Sequence, residues 1–240
     1  MDKKAWIIFG VIVVTVLGGL IYMSGKNKID VSNVNEKVVL GASEANGNTA
    51  DHVFGKKDSK VVLIEYGDFQ CPGCGKAHPI VKELTEKYKG QIAFVFRNFP
   101  LTTIHPNAKA AAAAVEAAGL QGKYWEYHNA LYENQDAWSS LDAAERTDYF
   151  IDTAKTTGVK DIEKFKQDIE SSDVKQKINF DIALGKKVGV TGTPSIYLNG
   201  TAISDKTWTD QAKFEEALKA EMKKQGIEVP AEQTEAKAQE

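Results

Sequence analysis

A chain of 240 residues has room for one large domain or two small ones, and a net charge of −3 offers no basic surface of the kind nucleic-acid binding requires. A hydrophobic share of 42% and a charged share of 26% are ordinary for a globular protein. Only two cysteines are present, Cys71 and Cys74, which excludes a structural disulfide framework.

Ala5 to Met23 is a run of 19 residues without a charge. As a helix it would extend about 28 Å, close to the hydrocarbon thickness of a bilayer. Trp6 and Tyr22 lie near its ends, where amphipathic rings prefer to sit. A cleavable signal peptide would have a shorter apolar core ending in small residues; here the run ends in Ile21-Tyr22-Met23-Ser24. Residues 1–25 are therefore expected to be a transmembrane anchor. Lys3 and Lys4 on one side nearly balance Lys26 and Lys28 on the other, so charge does not orient it. Residues 26–50 are polar and read as a flexible linker. The tail, 228–240, has no apolar period and reads as disordered.

Residues 51–227 form the folded part. Val61 to Tyr66 is nearly continuous in apolar residues, as a strand buried on both faces should be, with Glu65 interrupting it. Phe69-Gln70-Cys71-Pro72-Gly73-Cys74 comes next, then a helical pattern from Ala77 to Tyr88 that contains Pro79. A C-x-x-C dithiol at a strand-to-helix junction reads as a redox site on a thioredoxin-like fold. Unpaired N–H groups at a helix start favour an anion, so the thiolate of Cys71 should be stabilised. Cys74, one turn further in, should be more covered and act as the resolving thiol. Pro72 stiffens the loop and Gly73 leaves its mouth bare. The alternative is half of a zinc site; its further ligands would have to come from His52, His78, His105 and His128, and none has a suggestive spacing.

Ile92 to Phe99 is the next strand, and the order strand, helix, strand implies a parallel pair. About 104–188 carry almost no strand signal. Helical patterns cover His105–Ala118, Tyr124–Tyr132, Leu141–Thr157, Asp161–Ser171 and Asp173–Val188, so this region reads as a helical insertion into an α/β scaffold. Its aromatic residues, Tyr124, Trp125, Tyr127, Tyr132 and Trp138, are either an ordinary core or a surface for unfolded peptide. Strand pattern returns at Ser195–Leu198 and Thr201–Ile203 around the turn Asn199-Gly200, followed by a helix from Asp210 to Gln225. A proline entering a strand cannot donate to the ladder, so Thr193-Pro194 is expected to be cis.

The C-P-x-C motif, the helical insertion and the Gly192-Thr193-Pro194-Ser195 loop, in that order, resemble the DsbA-like family of thioredoxin-fold thiol–disulfide oxidoreductases, in its membrane-tethered branch. The resemblance implies that Cys71 is the exposed nucleophile and Cys74 its buried partner. It implies that Pro194 is the cis proline facing the dithiol, and that Thr193 offers its backbone to a substrate peptide. Glu65 matches a buried acid that would relay a proton to or from Cys74. Activity would need no cofactor beyond the redox-active disulfide. The partners implied are unfolded secreted or surface proteins with free thiols and a membrane re-oxidant of DsbB or VKOR type, with the catalytic domain extracytoplasmic. Gly73 departs from the family's frequent histidine at that position, which leaves open a reductase or isomerase of extracytoplasmic disulfides. A tethered peptide-binding chaperone with the insertion as its working surface is the other alternative.

Overall fold

The structure, a computed structural model, describes residues 3–26 and 29–230. It divides into two units, one up to Asp30 and one from Val31 onward. The first unit is a single helix, α1 (Lys3–Lys26). Among the described residues no helix is long and apolar enough to cross a membrane. The expected transmembrane anchor falls on this helix, part of whose side chains lie outside the described residues.

The second unit is built on a five-stranded sheet in the order β1-β3-β2-β4-β5. Its centre is β2 (Val62–Gly67) beside β3 (Ala93–Asn98), paired in parallel, with every residue of both buried. Strands covered on both faces need near-continuous apolar sequence, which is why these two stand out in the sequence. The connection between them is α2 (Pro72–Lys87), with Pro79 inside it. Ala77, Val81, Leu84 and Tyr88 repeat at helical spacing and are all buried. On the far edge, β4 (Ser195–Leu198) runs antiparallel to β2 and forms a hairpin with β5 (Thr201–Ile203). Asn199 (φ 47°) and Gly200 (φ 78°) both take the left-handed region that a two-residue hairpin turn demands. A short strand, β1 (Val53–Gly55), pairs antiparallel with β3. At three residues it is too short to leave a periodic signal.

Between β3 and β4 lie six helices: α3 (Ala108–Gly119), α4 (Tyr124–Glu133), the single turn α5 (Gln135–Trp138), α6 (Ala143–Thr156), α7 (Ile162–Ile169) and α8 (Ser172–Lys187). Asp142, Asp161 and Ser171 cap α6, α7 and α8 by accepting backbone N–H groups of the first turn, which fixes where each starts. One hydrophobic core runs from Val61 and Leu63 in the sheet through Ala111 and Ala114 to Trp138, Phe150 and Phe165. Tyr124, Tyr127, Tyr132 and Trp138 belong to that core, so they present no aromatic surface for peptide. The chain closes with a turn of helix, α9 (Asp205–Trp208), and with α10 (Gln211–Lys224). Ile227 and Val229 pack on the core, and the remainder of the expected tail lies outside the described residues.

Residues 31–50 correct the expectation of a flexible linker, because they form a strap held on the domain. Arg97, fully buried in β3, donates to Glu36 O at 2.6 Å and Val38 O at 2.9 Å and pairs with Asp51 at 2.8 Å. Lys187 donates to Ser32 O and Val34 O, and Gln176 donates to Ala45 O. A polar composition suggests a tether, but here the polar groups include backbone carbonyls that accept from buried Arg97, from Lys187 at the surface and from Gln176.

Candidate active site

Cys71 is the residue before α2, with extended backbone (φ −71°, ψ 121°), and Pro72 is the first helical residue. Proline suits that position because its missing N–H would have no intrahelical partner. Both thiols are free. Cys71 is 8% exposed and Cys74 is fully buried, so a single turn of helix separates a reachable sulfur from a covered one.

The two thiols differ as sharply in acidity. Cys71 is pulled from 9.0 down to about 5, first by the hydrogen bond from the Cys74 side chain, then by the Thr193 side chain and the backbone N–H groups of Cys74 and Gly73, against the opposing effect of burial. Thr193 Oγ1 is buried and has no hydrogen-bond partner among the described residues, so its O–H is available to the sulfur. Cys74 is pushed well above 9.0 by burial, by its bond to Cys71 and by the nearby charge of Glu65. One nucleophilic thiolate beside one neutral thiol is the protonation pattern that thiol–disulfide exchange uses.

Opposite the dithiol is the loop before β4. Its Thr193–Pro194 bond is cis, and Cys71 Sγ lies 3.3 Å from Thr193 O. A Cβ on Gly73 would stand 3.3 Å from Pro194 Cδ and 3.5 Å from Cys71 Sγ, so glycine lets the two loops approach closely. Beneath them, Glu65 in β2 is buried, and its carboxyl is raised from 4.5 to about 8, first by burial and then by the charge of Cys71. Cys71, Cys74, Glu65, Thr193, Pro194, Pro72 and Gly73 are therefore gathered around one point. A groove of 490 Å³ opens beside it, lined by Pro72, Lys76, Tyr132, Glu133 and Asp136.

Three further residues hold the site and were not singled out in the sequence. Asp68 is buried; its carboxylate accepts from the backbone N–H groups of Gln70 and Leu101 and lies 2.7 Å from His105 Nδ1. Gln70 donates to Ser139 O and accepts from Asn107 N. Gln135, in α5, donates to Phe69 O and Cys71 O. The only signal in the sequence was the placement of Asp68 and Gln70 just before the dithiol, and Gln135 carried none. Of the histidines weighed as zinc ligands, His52 pairs with Glu116 and His105 with Asp68, and among the described residues no group of three or more His, Cys, Asp or Glu is arranged to hold a metal.

The sheet order, the helical insertion and the dithiol at the start of α2 define a thioredoxin-fold thiol–disulfide oxidoreductase of the DsbA-like kind. Residues 47–227 match the family described as Thioredoxin, and the chain belongs to that family. It is 31% identical over 223 residues, 91% of this chain and 95% of the relative, to a Bacillus cereus protein named "Probable disulfide bond formation protein D". It is 38% identical over 174 residues, 71% of this chain, to Na(+)/H(+) antiporter NhaA 1 of Mycolicibacterium vanbaalenii, and spans about a quarter of that relative's length (26%). Among solved structures it resembles BdbD from Bacillus subtilis in its oxidised form, with 25% identity, a TM-score of 0.60, and 79% of this chain and 100% of that chain covered.

Proposed function

We propose that the protein donates a disulfide from Cys71–Cys74 to extracytoplasmic clients through a mixed disulfide. The observation that carries this reading is the acidity split, with Cys71 near 5 and Cys74 well above 9. A client thiolate attacks Cys71 Sγ of the oxidised pair; the S–S bond breaks and its electron pair leaves on Cys74. Cys74 then takes a proton from Glu65, which at neutral pH is still protonated. A second client thiolate attacks the client sulfur of the mixed disulfide and expels Cys71 as a stable thiolate. Counted from its dithiol, the client loses two electrons to the enzyme and two protons to solvent, while the Cys74 proton moves within the enzyme from Glu65. The Thr193 backbone receives the client as a short added strand.

Each turnover leaves a dithiol, so a re-oxidant is required, and a membrane partner of DsbB or VKOR type fits. The uncharged run from Ala5 to Met23 supports anchoring by α1, whose Ile8, Phe9, Val11, Val14 and Val16 side chains are all more than half exposed. Thiol oxidation fits an extracytoplasmic site, since cytosolic thiols are kept reduced.

Gly73 favours the second reading, a reductase, because no imidazolium stands beside the thiolate. The reduction potential of the full chain in glutathione buffers decides between them. A value near about −120 mV is expected for a donor, and one near about −270 mV would overturn donation in favour of reduction.

A further inference from the structure

A small cavity of 20 Å³ lies between β2, α2 and α4, lined by Glu65, His78, Lys82, Thr85, His128 and Asn129. A cavity needs about 10–15 Å³ and two to four polar partners to hold one water. This one has them. Glu65 makes no side-chain hydrogen bond among the described residues, and a protonated carboxyl has an O–H to place. Nε2 of His78 and Nε2 of His128 are both buried without a partner. His128 Nδ1 lies 3.1 Å from Asn129 Oδ1, an atom that only accepts, so the ring proton sits on Nδ1 and Nε2 offers its lone pair. The two rings are 5.5 Å apart. On the outer side His78 Nε2 is 3.9 Å from Glu133 Oε1, a half-exposed carboxylate paired with Lys82 at the surface.

We propose that this cavity binds one water held by His128 Nε2 beside Glu65, and that this water and His78 Nε2 pass protons between Glu65 and the Lys82–Glu133 surface. The proposal rests on the reading of Glu65 as the proton donor to Cys74. Glu65 cannot be recharged through the dithiol while a client covers it, and a path between α2 and α4, further along α2 from the dithiol, stays open. The charges facing the path are His78, Lys82 and Glu86 from α2, Glu133 and His128 from α4, and Glu65 from β2; Phe54, Phe94 and Trp125 supply apolar wall. Burial, the chief cause for both rings, holds His78 down to about 4 and His128 to about 3, so both are neutral at pH 7. Neutral imidazoles can accept and return a proton without placing a resident cation beside Glu65, which would ionise it. His128 is thus a positioning residue that holds the water, His78 carries the proton outward, and neither touches client sulfur.

The test is single-turnover oxidation of a dithiol peptide by the oxidised full chain from pH 5 to 9. Wild type is compared with Glu65→Gln, His128→Leu, His128→Gln and the double variant Glu65→Gln/His128→Leu. His128→Leu should leave the rate unchanged at pH 5–6, where Glu65 starts protonated, and slow the Cys74-releasing step about tenfold above pH 8, where the proton must arrive through the path. His128→Gln, which returns a polar atom near the Nε2 position, should recover most of the rate. In the Glu65→Gln background His128→Leu should add nothing. If Glu65→Gln is slow and His128→Leu keeps the wild-type rate and profile, the path is overturned while the role of Glu65 stands. If Glu65→Gln itself has no effect, both fall. Should His128→Leu not fold, His78→Phe interrupts the outer half and should give the same slowing; a wild-type profile there also overturns the path.

Discussion

Cys71 and Glu65 carry opposite departures from ordinary acidity, and each has a consequence for stability. The Cys71 thiol is more acidic folded than unfolded, so its contribution to the reduced protein is complete above pH 9 and is lost as the pH falls through about 5. At pH 7 two pKa units remain expressed, a ceiling of about 2.7 kcal/mol at ~1.36 kcal/mol per unit. The oxidised protein lacks this term, so the reduced form is expected to melt higher, with a gap that widens from pH 5 to 9; equal melting temperatures across that range would contradict the thiolate. Iodoacetamide should alkylate Cys71 with a midpoint near pH 5 and leave Cys74 untouched in the native state. Glu65 has the reverse sign. Its folded pKa is raised, so ionisation costs stability from pH 4.5 upward until about 8. Glu65→Gln should therefore stabilise the protein increasingly over that window and level off above it, by at most about 5 kcal/mol. Urea unfolding at pH 5 and pH 9 measures this, and a pH-independent difference would mean that Glu65 is not held protonated.

The dithiol helix is positioned less by its own sequence than by what α5 does to the loop before it. Gln135 bridges Phe69 O and Cys71 O, and Gly75 in α2 makes room, since a Cβ there would come within 2.5 Å of Gln135 Oε1. Gln135→Ala leaves both carbonyls without that donor and should cost about 2 kcal/mol. Chemical denaturation of the reduced protein reads the loss, and no change would show that the carbonyls are satisfied without it. Elements that fill an entire period were legible in advance. β4 and β5 were placed to the residue because Asn199-Gly200 fixes the turn, and α4 and α6 to within a few residues. β1 and α9 were not, because three or four residues hold no period, and their pairing partners lie far along the chain.

At the scale of the whole molecule, the buried ion network ties the strap to the sheet. Asp51 is held down at about 2; its burial opposes this, while Lys177 and Arg97 lower it, and Lys177 also pairs with Asp181 at 2.7 Å. Removing one member of such a group strands the others as unpaired buried charge. The same bonds locate the domain boundary. A fragment beginning at residue 31 should keep the stability of the domain, whereas one beginning at residue 51 strips Arg97 of Glu36 O and Val38 O. Two hydrogen bonds to a charged donor amount to about 3 kcal/mol, roughly 10 °C in melting temperature for a domain of this size. Equal melting of the two fragments would show the strap to be loosely held.

The sequence by itself determined the redox dithiol, the strand–helix junction that carries it, the hairpin and the helical insertion. Each of these is written in neighbouring residues, through spacing, turn chemistry or periodicity. Only the tertiary structure decided which elements bury Glu65, an acid whose burial the family resemblance had implied, that residues 31–50 are a strap, and that His78 and His128 share one cavity. Those facts depend on partners remote in sequence: Glu65 is covered by helices outside its strand, Arg97 reaches carbonyls 59 and 61 positions away, and the two imidazoles meet only where α2 packs on α4. A polar residue looks solvated in the sequence until the fold supplies the groups that bury it.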